Sequence, residues 1–125
     1  MKSRRDTESG IHIAIFHLPE DRQIRVGRLG LLHLQRGVYF YVGSAQRSLS
    51  ARIERHRRRK KPRRWHIDCL SVKSKMLGAI IVPGPREHEC KVAKKVGRMF
   101  ELAAPGFGAS DCRCGGHLFY ASQFE

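Results

Sequence analysis

The feature that most constrains the fold is a run near the start, Ile11 to Leu18, which reads Ile-His-Ile-Ala-Ile-Phe-His-Leu. Successive side chains of a strand point to opposite faces, and here both alternating sets are largely apolar. Such a strand has to be covered on both sides, which predicts a central place in a sheet with packed layers on each face. A second run, Val38 to Val42, follows Arg36-Gly37. Val38, Phe40 and Val42 share one of its faces, Tyr39 and Tyr41 the other, and Gly43 closes it. Between the two runs, Pro19-Glu20-Asp21 predicts a turn, Gln23 to Gly27 a short strand, and Gly27 and Gly30 further turns.

The rest of the chain alternates helix and strand signals. Ser48 predicts the N-cap of a helix running to Lys61, where Pro62 stops it. Leu49 and Ile53 form its apolar strip, with Arg52 and His56 one turn apart on the edge. Trp65 to Val72 fits a short helix or a strand, and Met76 to Val82 predicts a strand ended by Pro83-Gly84-Pro85. Arg86 to Leu102 is helical by period, with Cys90, Ala93, Val96, Gly97 and Phe100 recurring at three- and four-residue spacing. A Gly-rich, Cys-bearing loop, Pro105 to Gly116, precedes a last strand over His117 to Ala121. No repeat or linker divides the 125 residues. The expectation is one α/β domain over 1–125, with 1–9 a flexible N-terminus, built as a small antiparallel sheet of three or slightly more strands flanked by helices.

Charge narrows the function. Lys and Arg number 25 against 11 Asp and Glu, a net charge of +14. A field of that sign attracts polyanions, nucleic acid ahead of anionic membranes or acidic proteins. The 41% hydrophobic content excludes global disorder. No apolar run approaches the roughly 20 residues of a membrane helix, and the polar stretch Met1 to Gly10 is no signal peptide, so a soluble cytoplasmic protein is expected. In that setting Cys69, Cys90, Cys112 and Cys114 read as free thiols or metal ligands before disulfides.

The positive charge is concentrated. Arg52, Arg55, Arg57, Arg58, Arg59, Lys60, Lys61, Arg63 and Arg64 form one block, interrupted by a single acid, Glu54. A solvated face normally mixes signs, so the block reads as a groove that tracks phosphates. Trp65 follows at once. It reads first as a core or interface anchor and second as a platform for a base.

Three residues could do chemistry. Tyr41 ends a strand that leads through Gly43-Ser44-Ala45 into the helix bearing Arg52. A guanidinium fork beside a phenol can bind phosphate oxygens and favour phenolate, although such a pairing is also common as pure structure. Glu89 projects into the apolar arc of its helix, with Val92, Ala93, Val96 and Phe100 around it, whereas Glu87 falls on the polar side. A carboxylate there either holds a hard cation such as Mg²⁺ or Mn²⁺ or complements the helix dipole from the first turn.

Taken together these residues resemble the GIY-YIG endonuclease superfamily, and more closely a small, largely archaeal branch of it. The resemblance runs through Gly10-Ile11-His12, Gly37-Val38-Tyr39-Phe40-Tyr41-Val42-Gly43-Ser44-Ala45, Leu49, Arg52, Arg55-His56, Trp65-His66-Ile67-Asp68, Glu89-Cys90 and Gly106-Phe107-Gly108-Ala109-Ser110-Asp111-Cys112, and closes with Cys114 to Tyr120. It implies a metal-dependent hydrolase of nucleic-acid phosphodiesters, acting on DNA before RNA, with a partner protein supplying specificity. In it Tyr41 would orient or activate the attacking water and Arg52 would stabilise the phosphate. Glu89 would hold one Mg²⁺ or Mn²⁺, and His56 would assist proton transfer or contact phosphate. The first motif carries His12 where the family has tyrosine. A histidine can serve as a base near neutral pH, and the exchange equally suits a chain that binds nucleic acid without cleaving it. The longer interval between the motifs is accounted for by a hairpin inserted over Asp21 to Gln35.

Cys112, Cys114 and His117, joined by Cys90 or Cys69, could form a zinc site, but Cys-x-Cys-x-x-His lacks the usual two-residue gap between paired ligands. A packed loop with buried thiols is the preferred reading.

Overall fold

A computed structural model describes residues 9–109 and 115–121. The long apolar run is strand β1 (Gly10–Leu18), and it is central, as its two apolar faces require. A hairpin follows, β2 (Arg22–Arg25) and β3 (Leu31–Leu34), paired only with each other. Strand β4 (Gly37–Ala45) returns antiparallel to β1 in a register that sets His12 opposite Gly43 and Ala14 opposite Tyr41. Helices α1 (Leu49–Arg57) and α2 (His66–Ser71) come next, then β5 (Lys75–Val82), α3 (Glu89–Gly97), β6 (Glu101–Leu102) and β7 (Leu118–Ala121). The main sheet has five strands in the order β5-β1-β4-β7-β6, antiparallel throughout. The expected α/β class is thus the observed one, and Asp21 to Gln35 does hold a hairpin.

Each face of the sheet has its own core. Ala14, Phe16, Tyr39 and Leu118 pack with Ile67 and Leu70 of α2, with Phe107, and with Ile24, Val26 and Leu34 of the hairpin segment. On the other face Ile11, Val42 and Phe119 meet Ala93 and Val96 of α3. Phe40 stacks on Phe100 there at 4.5 Å between centroids. Each large side chain buried in this way contributes about 1.5–3 kcal/mol relative to exposure.

Two helices differ from the sequence expectation. Helix α1 ends at Arg57 rather than Lys61, and Arg58 is already extended. Five consecutive like charges precede Pro62, which disfavours helix in the residue before it, and the Lys61 ammonium instead folds back to donate to the carbonyls of Arg55 (2.7 Å) and His56 (3.3 Å). Ser48 precedes α1 but adopts a left-handed conformation, φ 54°, and makes no side-chain cap. The helix read from Arg86 to Leu102 begins as a 3-10 turn at Arg86–His88, is α-helical only over Glu89–Gly97, and yields to β6. The amides of Met99 and Phe100 both close on the Val96 carbonyl, which turns the chain toward the sheet. The ambiguous stretch after Trp65 is a helix, because Asp68 caps its start by accepting from the backbone of Trp65 at 3.0 Å and Arg64 at 2.7 Å.

Candidate functional site

The ends of β1 and β4 and the starts of α1 and α3 enclose a cleft of about 660 Å³. His12, Tyr41, Arg52, His56 and Glu89, far apart in sequence, all line it. The β1–β4 register brings the His12 imidazole over Gly43, so closely that a Cβ there would stand 2.7 Å from His12 Cε1 and 2.9 Å from Nε2. Gly43 is therefore the residue that lets this histidine lie against the strand. Gly108 does the same for Tyr41, since a Cβ there would fall 2.9 Å from its ring.

The aromatic groups form a cluster. The His12 ring is 5.1 Å from that of His56 and 6.1 Å from that of Tyr41, and Tyr41 lies 5.9 Å from His56. Both histidines are buried, at 1% and 2% exposure. Among the described residues, His12 Nδ1 and both ring nitrogens of His56 lack a hydrogen-bond partner. Burial, reinforced by Arg52, pushes the His12 pKa down to about 4 against a weaker opposing pull from Glu89. Burial and then His12 push His56 down to about 3. Both are neutral at physiological pH. Burial and the charge of Glu89 raise the Tyr41 pKa, and Arg52 does not offset them. The phenol therefore stays protonated, contrary to the phenolate that the Tyr41–Arg52 pairing suggested.

Glu89 is the first residue of α3 and sits between two donors. Ser44 Oγ donates to Oε1 at 2.5 Å, and His117 Nδ1 lies 2.9 Å from Oε2. That same Nδ1 is 3.1 Å from the carbonyl oxygen of Val42. Both neighbours are acceptors, so Nδ1 carries the proton. Burial raises the Glu89 pKa, but the bonds from His117 and Ser44 outweigh it and hold the carboxyl below its ordinary range. A carboxylate offers about four lone-pair sites, of which two are used here. The side chain keeps 21% exposure. It can thus give an oxygen to a hard cation that retains most of its water, the usual habit of Mg²⁺.

Arg52 points one guanidinium nitrogen at the Ser44 carbonyl, 3.1 Å away, and lies over Trp65 at 4.5 Å from the ring centroid. The remainder of its donors are available to an anion. Arg47, Arg64 and Arg86 add positive charge to the lining, and His66 joins them with its Nδ1 accepting from the Gly108 amide at 2.9 Å. Arg47 and Arg86 escaped the sequence reading, since neither belongs to the basic block or carries a spacing signal, and Ser44, His66 and Gly108 stood in the resembling motifs without a part in the site.

The basic block divides in two. Arg57, Arg58, Arg59, Lys60, Arg63 and Arg64 are exposed. Arg55 and Lys61 instead turn inward toward Asp68, which is fully buried. Arg55 Nη1 bonds its Oδ1 at 2.7 Å, and Lys61 Nζ lies 3.8 Å away. Those two hold the α1–α2 junction and are not free to track phosphate. Cys112 and Cys114 lie outside the described residues. Cys69 is a free buried thiol, and Cys90 is disulfide-bonded. Cys90 Sγ lies 3.9 Å from His117 Nε2. Among the described residues no three His, Cys, Asp or Glu side chains converge as a metal cluster, and no helix is long and apolar enough to cross a membrane.

A family model described as a domain of unknown function, DUF123, matches residues 11–125. The chain belongs to that family. No curated protein and no solved structure matches it.

Proposed function

We propose that this DUF123 chain is a metal-dependent endonuclease of the GIY-YIG kind, hydrolysing phosphodiester bonds of nucleic acid, DNA before RNA, in the cytoplasm. The observation that carries the reading is the convergence of a phenol, a guanidinium, a carboxylate and two neutral imidazoles on one cationic cleft. Binding alone has no use for a carboxylate beside a phosphate, because the like charges repel.

Each group has a part that its environment suits. Arg52 would grip the non-bridging oxygens of the scissile phosphate through its planar fork, held in place by Ser44 and Trp65. Tyr41, kept protonated, would donate a hydrogen bond that orients the attacking water or a phosphate oxygen. His12, neutral and next to it, can accept the water's proton, in the place where the superfamily carries tyrosine. His56 adjoins His12 and can share that proton or contact phosphate. Glu89 would hold Mg²⁺ or Mn²⁺, which when bound neutralises charge developing on the phosphate and leaving oxygen. A partner protein would supply sequence or structure specificity to so small a cleft.

One observation favours a second reading, binding without cleavage: His12 is only 1% exposed and its low basicity weakens it as a base. Incubating labelled DNA and RNA with Mg²⁺ or Mn²⁺, beside Glu89→Ala and Tyr41→Phe, separates the two. Cleavage by the wild type that Glu89→Ala abolishes while binding persists supports the nuclease. Tight, salt-sensitive binding with no cleavage of any substrate leaves the binding module.

A further inference from the structure

We propose that Trp65 is a stacking platform for an unpaired base, so that the cleft takes a nucleic-acid strand whose nucleotide beside the bound phosphate is out of the duplex. The inference deepens the nuclease reading by naming its substrate class and rests on that reading's premise that nucleic acid enters the cleft. Trp65 does not behave as the core anchor its sequence position first suggested: it is 37% exposed and lines the mouth shared by Arg52 and Glu89. The ring is nonetheless fixed. The guanidinium carbons of Arg52 and Arg55 lie 4.5 and 4.8 Å from its centroid, and the residue's backbone amide donates to Asp68 at 3.0 Å, which anchors the base of the side chain. Those two cations are tethered in turn, Arg52 to the Ser44 carbonyl and Arg55 to Asp68 and the Pro62 carbonyl.

An exposed indole held by this many contacts has paid its ordering entropy before any ligand arrives. A large apolar ring left partly in water beside a phosphate-binding guanidinium matches the two parts of a nucleotide, base and phosphate. In a continuous duplex the base faces are buried against their neighbours, so only an unpaired or flipped base can use the platform. The exposed cations Arg64 and Arg47 of the same lining would follow the flanking backbone.

Trp65 is the sole tryptophan of the chain, so its fluorescence reports on this ring alone. The test is a titration without divalent metal, using a single-stranded oligonucleotide, an abasic phosphodiester of equal length and a blunt duplex. The expected result is quenching by the single strand and none by the abasic chain at matched saturation. Trp65→Ala should weaken binding of the single strand about 5- to 150-fold more than binding of the abasic chain, the loss of one base–aromatic stack that only the single strand makes. Trp65→Phe should recover most of that loss. Equal quenching by the abasic chain, or saturation by the single strand with no change in emission, overturns the platform while leaving the nuclease reading standing. Failure to bind any of the three overturns both.

Discussion

Two regions less than a helix apart treat buried polar groups in opposite ways. At the α1–α2 junction Asp68 is fully buried and accepts from Arg55, Arg64 and Trp65, with Lys61 close by. In the cleft, His12 and His56 are buried just as deeply, yet three of their ring nitrogens have no partner among the described residues. A buried polar atom without a hydrogen bond costs about 1–3 kcal/mol, so a folded chain keeps one only where something other than stability is served. The junction is architecture, complete within the chain. The cleft leaves three buried nitrogens unpaired among the described residues.

The contrast breaks first at Asp68. Asp68→Ala strands Arg55 and Lys61 and removes the cap of α2, and should destabilise the fold by about 3–5 kcal/mol in urea or thermal denaturation. Gly43→Ala comes next. Its methyl group meets the His12 ring, and a cost of about 1–3 kcal/mol is expected. The added change His12→Ala should recover most of that loss, which a double-mutant cycle would read as strong coupling. The smallest effect has the opposite sign: His56→Leu, which deletes two unpartnered nitrogens, should stabilise the protein by about 1 kcal/mol while impairing function.

The pH dependence sharpens the same comparison. The folded pKa values of His12 and His56 lie at about 4 and about 3, below the ordinary 6.5. Between 6.5 and those values the unfolded chain binds protons that the folded chain refuses, so stability falls as the pH drops through this window. Asp68 acts lower down. Burial raises its pKa, but bonds from Trp65, Arg55 and Arg64 outweigh burial and leave it depressed. Its stabilisation is present above the ordinary carboxylate value and disappears as the pH falls through the folded one. His56→Leu should flatten the upper limb of the stability curve and leave the lower limb intact.

Much of the architecture was legible because β1 and β4 are apolar or aromatic on both faces, and because Pro19, Gly27, Gly30, Pro62 and Pro83 punctuate the chain. What escaped depends on contacts distant in sequence. The third helix is short because Phe100 turns to stack on Phe40 and because β6 finds β7, neither of which a local period encodes. In the cleft, Tyr41, Arg52 and Glu89 could be picked out by residue type and spacing. The pairing of Glu89 with His117 and Ser44, and the His12–Gly43 contact, are set by sheet register. The basic block misled in part, since its composition does not distinguish exposed Arg58 from Lys61 folded onto carbonyls.

The most direct test is Arg52→Ala assayed for Mg²⁺- or Mn²⁺-dependent cleavage of labelled DNA, with thermal unfolding measured in parallel. The account predicts that the wild type cleaves and that the variant loses about 100-fold or more of the rate, the usual penalty for removing one stabiliser of a developing charge. Its unfolding temperature should stay within a few degrees of the wild type. Cleavage by the variant at the wild-type rate, or a wild type that cleaves nothing, would contradict it.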